Sequence, residues 1–497
     1  MLPSLETDRL GGLPIRHLVS AVILGILVWI FSLRCELLVQ YRTELGGVEH
    51  NVIHGIQKVM LGQDLYEDPE QPPFDVIQYT PGYYLLCAAI GKVMGMNGDE
   101  ARSIFLLSRT ISLVLWLIAG VIVYRACRVG GAAVWSGFMA TGITLCSAWE
   151  QSFSRMDALA MALTAATVLS FMRWFRDQRR SALIITGILG VTAILTKQSG
   201  VVIAAAPGLY LLFTAQWKAL RTIVLAQLIT LCIGLGGTFL LGTSEAFYQN
   251  VVLGLRNGFS WMMWDDLFAP ATYKYFIGWH LLAGFVVIRG WRSDHAPSRF
   301  LAVAIPLSLG FALVSGLKYG SRLNYMHESL MLTFIGIAVL LPQLVKTNWK
   351  NAISWAFALH GCLFAAFRTN SVAAWYRVGE PDAMHEEQLR KDQAVHDLLV
   401  NELGLKPGDK VFITYREYLE HLLVGQSLLT QKDIVQYSRE RLFDYTAFHR
   451  AMTDGTVRFV ITDQASGAVT YLDSTYAGWE PIRELNGRTI LGRRTNP

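Results

Sequence analysis

The sequence predicts a mainly α-helical membrane protein, a polytopic transmembrane bundle of about eleven spans with juxtamembrane helices, followed by a small α/β domain. Of the 497 residues, 53% are hydrophobic and only 16% are charged, whereas ordinary soluble domains carry about 25% charged residues. Near Trp375 the composition changes to that of a soluble domain. The chain is therefore predicted to divide into a transmembrane module, residues 1–374, and a soluble domain, residues 375–497.

Each predicted span rests on an apolar stretch, because a helix needs about 20 apolar residues to cross a bilayer. The stretches near residues 182 and 201 are short, and Thr196-Lys197-Gln198-Ser199 separates them. The predicted spans begin near Leu18, Ile104, Ala132, Ala158, Ala182, Val201, Ile223, Tyr273, Leu301, Leu330 and Ile353.

Basic residues predict the orientation, because cytoplasmic loops collect Lys and Arg. They occupy every second loop, as in the run that holds Arg173, Arg176, Arg179 and Arg180. This alternation places the N-terminus inside and the C-terminal domain outside, provided that residues 83–96 form an interfacial or re-entrant helix rather than a span. Residues 38–102 then form one outer loop. Reporter fusions after Gly98 and after Pro497 should both report the outside, and an inside result at Gly98 would show that residues 83–96 cross the membrane.

The last domain shows helical and strand patterns that predict an α/β fold. No phosphate-binding glycine motif is present, and the net charge of +5 is small, so the sequence does not indicate a nucleotide or nucleic-acid partner. The six cysteines lie in or beside apolar stretches and indicate no disulfide framework. The predicted elements are a helix over 384–403 ending at Gly404, a strand over 410–414, a helix over 439–452, and strands over 458–462 and 488–491.

The outer loop holds the first candidate for catalysis, Glu49. It starts a helical pattern whose apolar residues share one face, and it lies off that face. A helix N-terminus favours an ionised carboxylate, which suits a general base toward an acceptor hydroxyl or amine. A plain first-turn glutamate gives the same pattern, so both interpretations stay open. A carboxamide at this loop position is expected to cost little stability.

Aromatic and acidic residues follow in the same loop. Tyr66 and Tyr79 suit stacking on a sugar ring, although interfacial tyrosine belts give the same composition. Glu67, Asp68 and Asp75 lie among prolines and aromatics and are predicted to form turns and solvated charges.

Isolated charges mark the outer ends of several predicted spans. Arg155, Lys197 and Arg322 suit a lipid phosphate, because cations at such depth need an anionic partner. A purely structural pair, either Arg155 with Asp157 or Glu150 with Arg155, is the alternative. His50 and His54 are four residues apart, but no third ligand is evident, so no metal site is predicted.

In the order and placement of these residues the chain resembles the GT-C integral-membrane glycosyltransferases, and in particular the bacterial group related to protein O-mannosyltransferases and aminoarabinose transferases (glycosyltransferase family 39-like). The matching elements are Glu49 after the first helix, Tyr66-x-Asp68-Pro69, Tyr79-x-Pro81-x-Tyr83-Tyr84, Arg155-x-Asp157 and Thr196-Lys197-Gln198. This chain has Glu49 where many relatives carry an aspartate, often in an Asp-Glu pair, and Val48 stands before it.

The resemblance implies inverting sugar transfer from a polyprenyl-phosphate donor to a lipid, glycan or protein acceptor at the outer face of a bacterial inner membrane. Glu49 is then the base, and Arg155, Lys197 and Arg322 hold the carrier phosphate. No cofactor is expected, with a divalent cation left open. The sugar and acceptor pocket is predicted to contain His50, Tyr66, Asp68, Tyr79 and Asp157.

Two other functions fit part of the pattern. A transporter or lipid flippase is favoured by the break at Lys197, but transporters usually show internal repeats, and none is evident here. In a membrane-anchored assembly or sensor protein the outer domain would carry the activity, and an acidic first loop would not be needed.

Overall fold

The structure is a computed structural model of the full chain. It describes residues 8–10, 13–39, 49–147, 153–256, 258–268, 276–318, 323–344, 347–375, 383–414, 418–429, 434, 437–463 and 478–493.

Helices dominate the first three quarters of the chain, as predicted. They are α1 Ile15–Val39, α2 Glu49–Met60, α3 Gly82–Val93, α4 Ala101–Val129, α5 Val134–Ser147, α6 Asp157–Asp177, α7 Arg180–Ile194, α8 Val201–Phe213, α9 Trp217–Thr238, α10 Ser244–Tyr248, α11 Trp261–Phe268, α12 Ile277–Trp291, α13 Ala296–Ser315, α14 His327–Leu340 and α15 Thr347–Trp375.

The helices confirm the predicted fold class. Six apolar helices of the described residues are long enough to cross a membrane: residues 15–38, 101–129, 157–177, 217–238, 296–315 and 324–343. Shorter apolar helices lie at 82–93, 134–147, 180–194, 198–213 and 277–291. Within the described residues, each predicted span start lies in a helix or within a few residues of one, whereas the start predicted at Tyr273 lies outside the described residues. The segment predicted not to span is the short helix α3.

The chain forms two compact units, which are described separately. The first contains residues 1–38, 110–234 and 259–379, and the second contains residues 39–109, 235–258 and 380–497. The predicted division at residue 375 lies close to one boundary. The sequence did not indicate that the outer loop belongs to the same unit as the C-terminal region.

In the first unit, α7 and α8 pack against each other around a tight turn that contains Lys197. A Cβ atom added to Gly190 would lie 3.0 Å from the Cα atom of Ala204, so the two helices approach closely. At Gly200 an added Cβ would lie 2.4 Å from the carbonyl carbon of Ala193, so the turn requires glycine. The break in the apolar pattern is therefore the corner of a helical hairpin.

Near the N-terminus β1 Arg9–Leu10 pairs with β2 Leu13–Pro14. The second unit contains a five-stranded sheet, whose strands are β3 Lys410–Ile413, β4 Ser427–Leu428, β5 Val457–Asp463, β6 Trp479–Leu485 and β7 Arg488–Arg493. Their order in the sheet is β4-β3-β5-β7-β6. Strand β3 is parallel to both of its neighbours, whereas β7 is antiparallel to both β5 and β6. The helices of this region are α16 Ala383–Asp397, α17 Leu419–Leu422 and α18 Thr446–Asp454.

The sheet buries part of the outer loop. Phe74 is fully buried in a hydrophobic core with Phe412, Phe448 and Val460, and its ring meets the ring of Phe448 edge-on at 5.5 Å. The backbone N–H of Leu429 donates to the carbonyl of Pro73 over 3.0 Å. The C-terminal domain therefore holds the loop that follows Glu49 and α2.

The predicted C-terminal strands are confirmed as β3, β5 and β7. The helix predicted over 384–403 is also present, as α16 continued by a wider turn over Leu398–Glu402. The helix predicted over 439–452 is wrong in its first half. Arg441 takes a left-handed φ of 51°, and α18 begins only at Thr446, where the Asp444 side chain accepts a hydrogen bond from the Thr446 N–H over 2.9 Å.

Candidate active site

Glu49 begins α2, as predicted, and it is fully buried. Its carboxylate accepts two hydrogen bonds from the guanidinium of Arg109, from Nε over 3.0 Å and from the terminal Nη2 over 2.9 Å. This is the bidentate geometry in which a charged hydrogen bond is strongest. The premise that a carboxamide at residue 49 would cost little is wrong, because it would leave the buried Arg109 without its charged partner.

Arg109 escaped the sequence analysis because it lies in an apolar stretch sixty residues further along the chain. It belongs to α4 and is buried. A lone arginine in such a stretch signals a buried acidic partner, but the sequence does not say which one. Packing of α2 against α3 helps to hold Glu49 in place. Gly55 lies so close to Tyr84 that an added Cβ would meet the ring at 2.7 Å.

One turn further along α2 lies a network formed by His54, Lys58, Glu67 and Asp75. The His54 Nε2 atom lies 2.7 Å from the Asp75 carboxylate. The Lys58 ammonium donates to the same carboxylate over 3.3 Å and forms an ion pair with Glu67 over 3.2 Å. The prediction that Asp75 is a solvated loop charge is wrong, since it is buried with two partners.

The charges of this network lower the pKa of the Asp75 carboxyl group. Burial alone would raise the pKa of Asp75, but the neighbouring His54 and Lys58 attract its negative charge and hydrogen-bond to it. Together they hold the pKa of Asp75 well below its ordinary value of 3.8. His54 is therefore a histidine oriented by an ionised carboxylate, an arrangement that general bases share.

His421 ties α2 to the C-terminal region. The Gln57 side-chain amide donates to the His421 carbonyl over 3.2 Å, and the His421 Nδ1 lies 3.2 Å from the Gln57 side-chain oxygen. Burial lowers the pKa of His421 well below its ordinary value, and electrostatic repulsion from His50 and His54 lowers it further. A neutral imidazole therefore anchors the helix that carries Glu49.

The loop residues predicted to form the sugar and acceptor pocket differ in exposure. Tyr66 is buried, donates from its hydroxyl to the Tyr79 carbonyl over 2.9 Å, and packs edge-on against Phe247. His50 is also buried, whereas Tyr79 is half-buried. Asp68 is exposed and accepts a hydrogen bond from the Glu70 N–H over 2.9 Å, as in a turn. Their role toward a sugar stays a prediction.

In the first unit, three predicted residues come together as a cation cluster, defined as Arg155, Asp157 and Lys197. The Lys197 ammonium donates to the Asp157 carboxylate over 2.7 Å, and the Arg155 Nε donates to it over 3.2 Å. Asn324, which was not among the predicted site residues, donates to the same carboxylate over 3.1 Å. All three members of the cluster are buried where α6 begins and where the α7–α8 hairpin turns.

A further cation, Lys318, lies near the cluster. Burial, together with the positive charge of Lys197, lowers the pKa of Lys318 to about 8. Three cations, Arg155, Lys197 and Lys318, therefore lie in this part of the first unit, and two of them bind the carboxylate of Asp157. Arg322, the third predicted phosphate ligand, lies outside the residues that the structure describes.

A small polar cavity of about 40 Å³ adjoins the cluster. Its lining includes Lys197, Asn324, Tyr325 and Glu328, and the Lys197 ammonium lies 5.1 Å from the centre of the Tyr325 ring. Small-molecule sites commonly span about 300–1,000 Å³, so this cavity is too small for a sugar in the present arrangement.

Metal ligation finds no support in the described part of the chain, where no group of three or more His, Cys, Asp or Glu side chains is placed to hold an ion. The expectation that no cofactor is needed stays a prediction.

The Asp75 network makes stability depend on pH. A depressed pKa adds stability above the ordinary pKa of 3.8 that is lost as the pH falls below it. We expect the melting temperature of Asp75→Asn to be lower at neutral pH and to fall less than that of the wild type from about pH 5 to about pH 3. Asp68→Asn is the exposed control and should leave both quantities unchanged. An unaltered pH dependence in Asp75→Asn would contradict the assignment.

The chain is similar to known proteins in part of its sequence and in its fold. Residues 78–236 match the family described as dolichyl-phosphate-mannose-protein mannosyltransferase. The matched segment includes Tyr79, Arg155, Asp157 and Lys197 and begins after Glu49. No curated protein sequence matches the chain significantly.

Solved structures match over nearly the whole chain. ArnT from Cupriavidus metallidurans bound to undecaprenyl phosphate is 12% identical, with a TM-score of 0.60 over 96% of this chain and 97% of ArnT. The fold is that of the GT-C glycosyltransferases. An Archaeoglobus fulgidus oligosaccharyltransferase is 11% identical, with a TM-score of 0.54 over 89% of this chain and 69% of that enzyme. The GT-C resemblance seen in the sequence is confirmed, as is the polytopic membrane architecture.

Proposed function

We propose that the protein is an inverting membrane glycosyltransferase that moves a sugar from a polyprenyl-phosphate-linked donor to a lipid, glycan or protein acceptor. We propose that the reaction takes place at the outer face of a bacterial inner membrane, with the N-terminus inside and the C-terminal domain outside. The observation that carries the proposal is the buried cation cluster, which sits at the start of a membrane-length helix and carries more positive than negative charge.

The cluster suits the carrier phosphate. When the sugar leaves its carrier, negative charge develops on the phosphate, and prearranged cations stabilise that charge most strongly. Arg155 offers a planar fork of donors, and Lys197 offers a mobile ammonium. Asp157 keeps both cations in place before the donor arrives, and the donor enters as the side chains around the small cavity rearrange. Two GT-C structures support this source of sugar, since ArnT is bound to undecaprenyl phosphate and the archaeal AglB is in complex with a dolichol-phosphate.

Glu49 is the proposed base toward the acceptor. The guanidinium of Arg109 donates to both oxygens of its carboxylate, and a carboxylate oxygen is an acceptor through which a base can take a proton. Arg109 acts as a positioning residue that orients the carboxylate. The acceptor reaches Glu49 only after the buried first turn of α2 opens, since the carboxylate is fully buried here.

The structure adds a second candidate base on the same helix. His54 is oriented by Asp75, and its side chain is 16% exposed, whereas that of Glu49 is fully buried. The rate of sugar transfer should therefore be measured for His54→Gln alongside Glu49→Gln. A larger rate loss in His54→Gln than in Glu49→Gln would move the base to His54.

A strain that lacks the gene tests the function. The protein's absence should raise the amount of a sugar-loaded polyprenyl phosphate and remove one glycan from the outer surface, and both effects should be reversed by the wild-type gene but not by Lys197→Ala. Unchanged lipid-linked sugars and surface glycans would overturn the proposal. A carrier lipid that accumulates only in the inner leaflet would indicate a flippase instead.

A further inference from the structure

At the opposite end of α6 from the cation cluster lies a second cavity, larger than the first. It has a volume of about 410 Å³, within the size range of small-molecule sites. Side chains of α4, α6 and α7 line it, where α6 ends at Asp177 and α7 begins at Arg180. Neither the proposed sugar transfer nor any predicted site uses this cavity.

The cavity has an apolar wall. Side chains from three different helices form it, so it is a groove between helices and not the face of one. Several of these side chains are open to the surroundings, and Ile185 is 49% exposed. Two of the three helices, α4 and α6, are long enough to cross a membrane and α7 is a shorter apolar helix, so an exposed apolar surface here suits contact with lipid chains. The apolar lining residues are Ile122, Ala166, Leu169, Ala182, Ile185 and Leu189.

The rim of the cavity is cationic. Arg173, Arg176 and Arg179 line it together with the Ser181 hydroxyl. Arg176 is paired with Asp177 over 2.7 Å. Arg173 and Arg179 form no ion pair within the described part of the chain, and their guanidinium groups match phosphate oxygens bidentately.

The rim lies at the corner between α6 and α7, residues 177–180. Gln178 takes a left-handed φ of 51°, and its side-chain amide donates to the carbonyls of Trp174 and Phe175 over 3.1 Å each. Ser170 donates to the Ala182 carbonyl over 2.9 Å and links the two helices. The arginines are therefore attached to a corner that hydrogen bonds hold in one conformation.

We infer that this cavity binds an anionic phospholipid, with the headgroup phosphodiester on Arg173 and Arg179 and one acyl chain against the apolar wall. The charge of the rim suits an anion, and the apolar wall suits a ligand that carries its own hydrocarbon. Basic pockets between transmembrane helices bind anionic headgroups in this way. The corner lies in a loop that the positive-inside pattern predicts to be cytoplasmic, where anionic lipids are available.

The test is lipid retention by the purified full-length protein in nanodiscs. Native mass spectrometry should show phosphatidylglycerol bound in preference to phosphatidylcholine of the same chains. Arg173→Gln/Arg179→Gln should weaken this binding about tenfold or more, on the scale that two basic residues contribute at an anionic surface. The matched control is Arg289→Gln/Arg292→Gln, two arginines of another predicted cytoplasmic loop, which should leave retention unchanged. Equal loss in the control would show diffuse surface charge and overturn the inference.

Two further sets of measurements test whether the variants still fold and whether the ligand is a phospholipid or a soluble phosphate. Arg173→Lys/Arg179→Lys keeps the charge and should retain part of the binding, which shows that the corner still folds. Ala166→Phe fills the apolar wall and should weaken phospholipid binding while the arginines remain. Soluble glycerol 3-phosphate should compete poorly. Full competition by it, or undiminished phospholipid binding in Ala166→Phe, would show a simple phosphate site and contradict the lipid assignment.

Discussion

Replacing Glu49 with glutamine is expected to lower the rate of sugar transfer roughly 10²–10⁴-fold, the usual worth of a positioned general base. Glutamine has the size of glutamate and still hydrogen-bonds, but it cannot take a proton at neutral pH. The measurement is the initial rate of transfer by the purified protein with saturating donor and acceptor. Glu67→Gln, a carboxylate of the same loop that is partly exposed, is the control and should cost far less.

The buried pairing with Arg109 makes a second variant necessary. Glu49→Gln leaves a buried arginine without its charged partner, which typically costs about 3–5 kcal/mol of stability. The double variant Glu49→Gln/Arg109→Gln removes both charges and should recover much of that stability while transfer stays slow. Recovery of near wild-type transfer by the double variant would make Glu49 a structural residue. Fast transfer by a stable Glu49→Gln protein would have the same meaning.

Replacing Lys197 with alanine is the second large expected effect. It removes the ammonium that contacts Asp157 over 2.7 Å and should slow transfer roughly 10²–10³-fold, as loss of one donor to a developing oxyanion does. Arg155→Ala should act in the same direction. The rate should depend on donor concentration more steeply than in the wild type, with little change in the acceptor dependence.

Lys218→Ala is the control for Lys197, because Lys218 is exposed at the start of α9. It should leave the donor dependence unchanged. Unchanged donor dependence in a folded Lys197→Ala protein would show that Lys197 serves only to neutralise Asp157.

Most of the fold follows from local pattern. A run of about 20 apolar residues is the pattern of a membrane-spanning helix, so the predicted span starts within the described residues lie in or near a helix. The strand at Lys410–Ile413 was visible because Val411, Phe412 and Ile413 are apolar and β-branched or aromatic. Strand β6 was missed because it lies at the edge of the sheet and most of its residues are exposed, so it shows no apolar face.

The candidate site was predictable only in part, because its partners are distant in sequence. The proximity of Lys197 to Asp157 depends on how the hairpin of α7 and α8 packs against α6, which no local pattern encodes. Arg109 and Asp75 were missed for the same reason. Their charges were visible, but their partners were not. The same limit hid the attachment of the outer loop to the C-terminal domain, which rests on Phe74 entering a core formed more than three hundred residues later.

The central claim, transfer of a sugar from a polyprenyl phosphate, is tested most directly by following an isotopically labelled donor. Purified protein would be given a polyprenyl-phosphate-linked sugar with the label in the sugar, together with membranes from a strain that lacks the gene as the source of acceptor. The account predicts that the label moves from the carrier to an acceptor with release of unloaded polyprenyl phosphate, with inverted anomeric configuration, and that Lys197→Ala abolishes most of this movement. Label that stays on the carrier, even as the carrier crosses the bilayer, would contradict it.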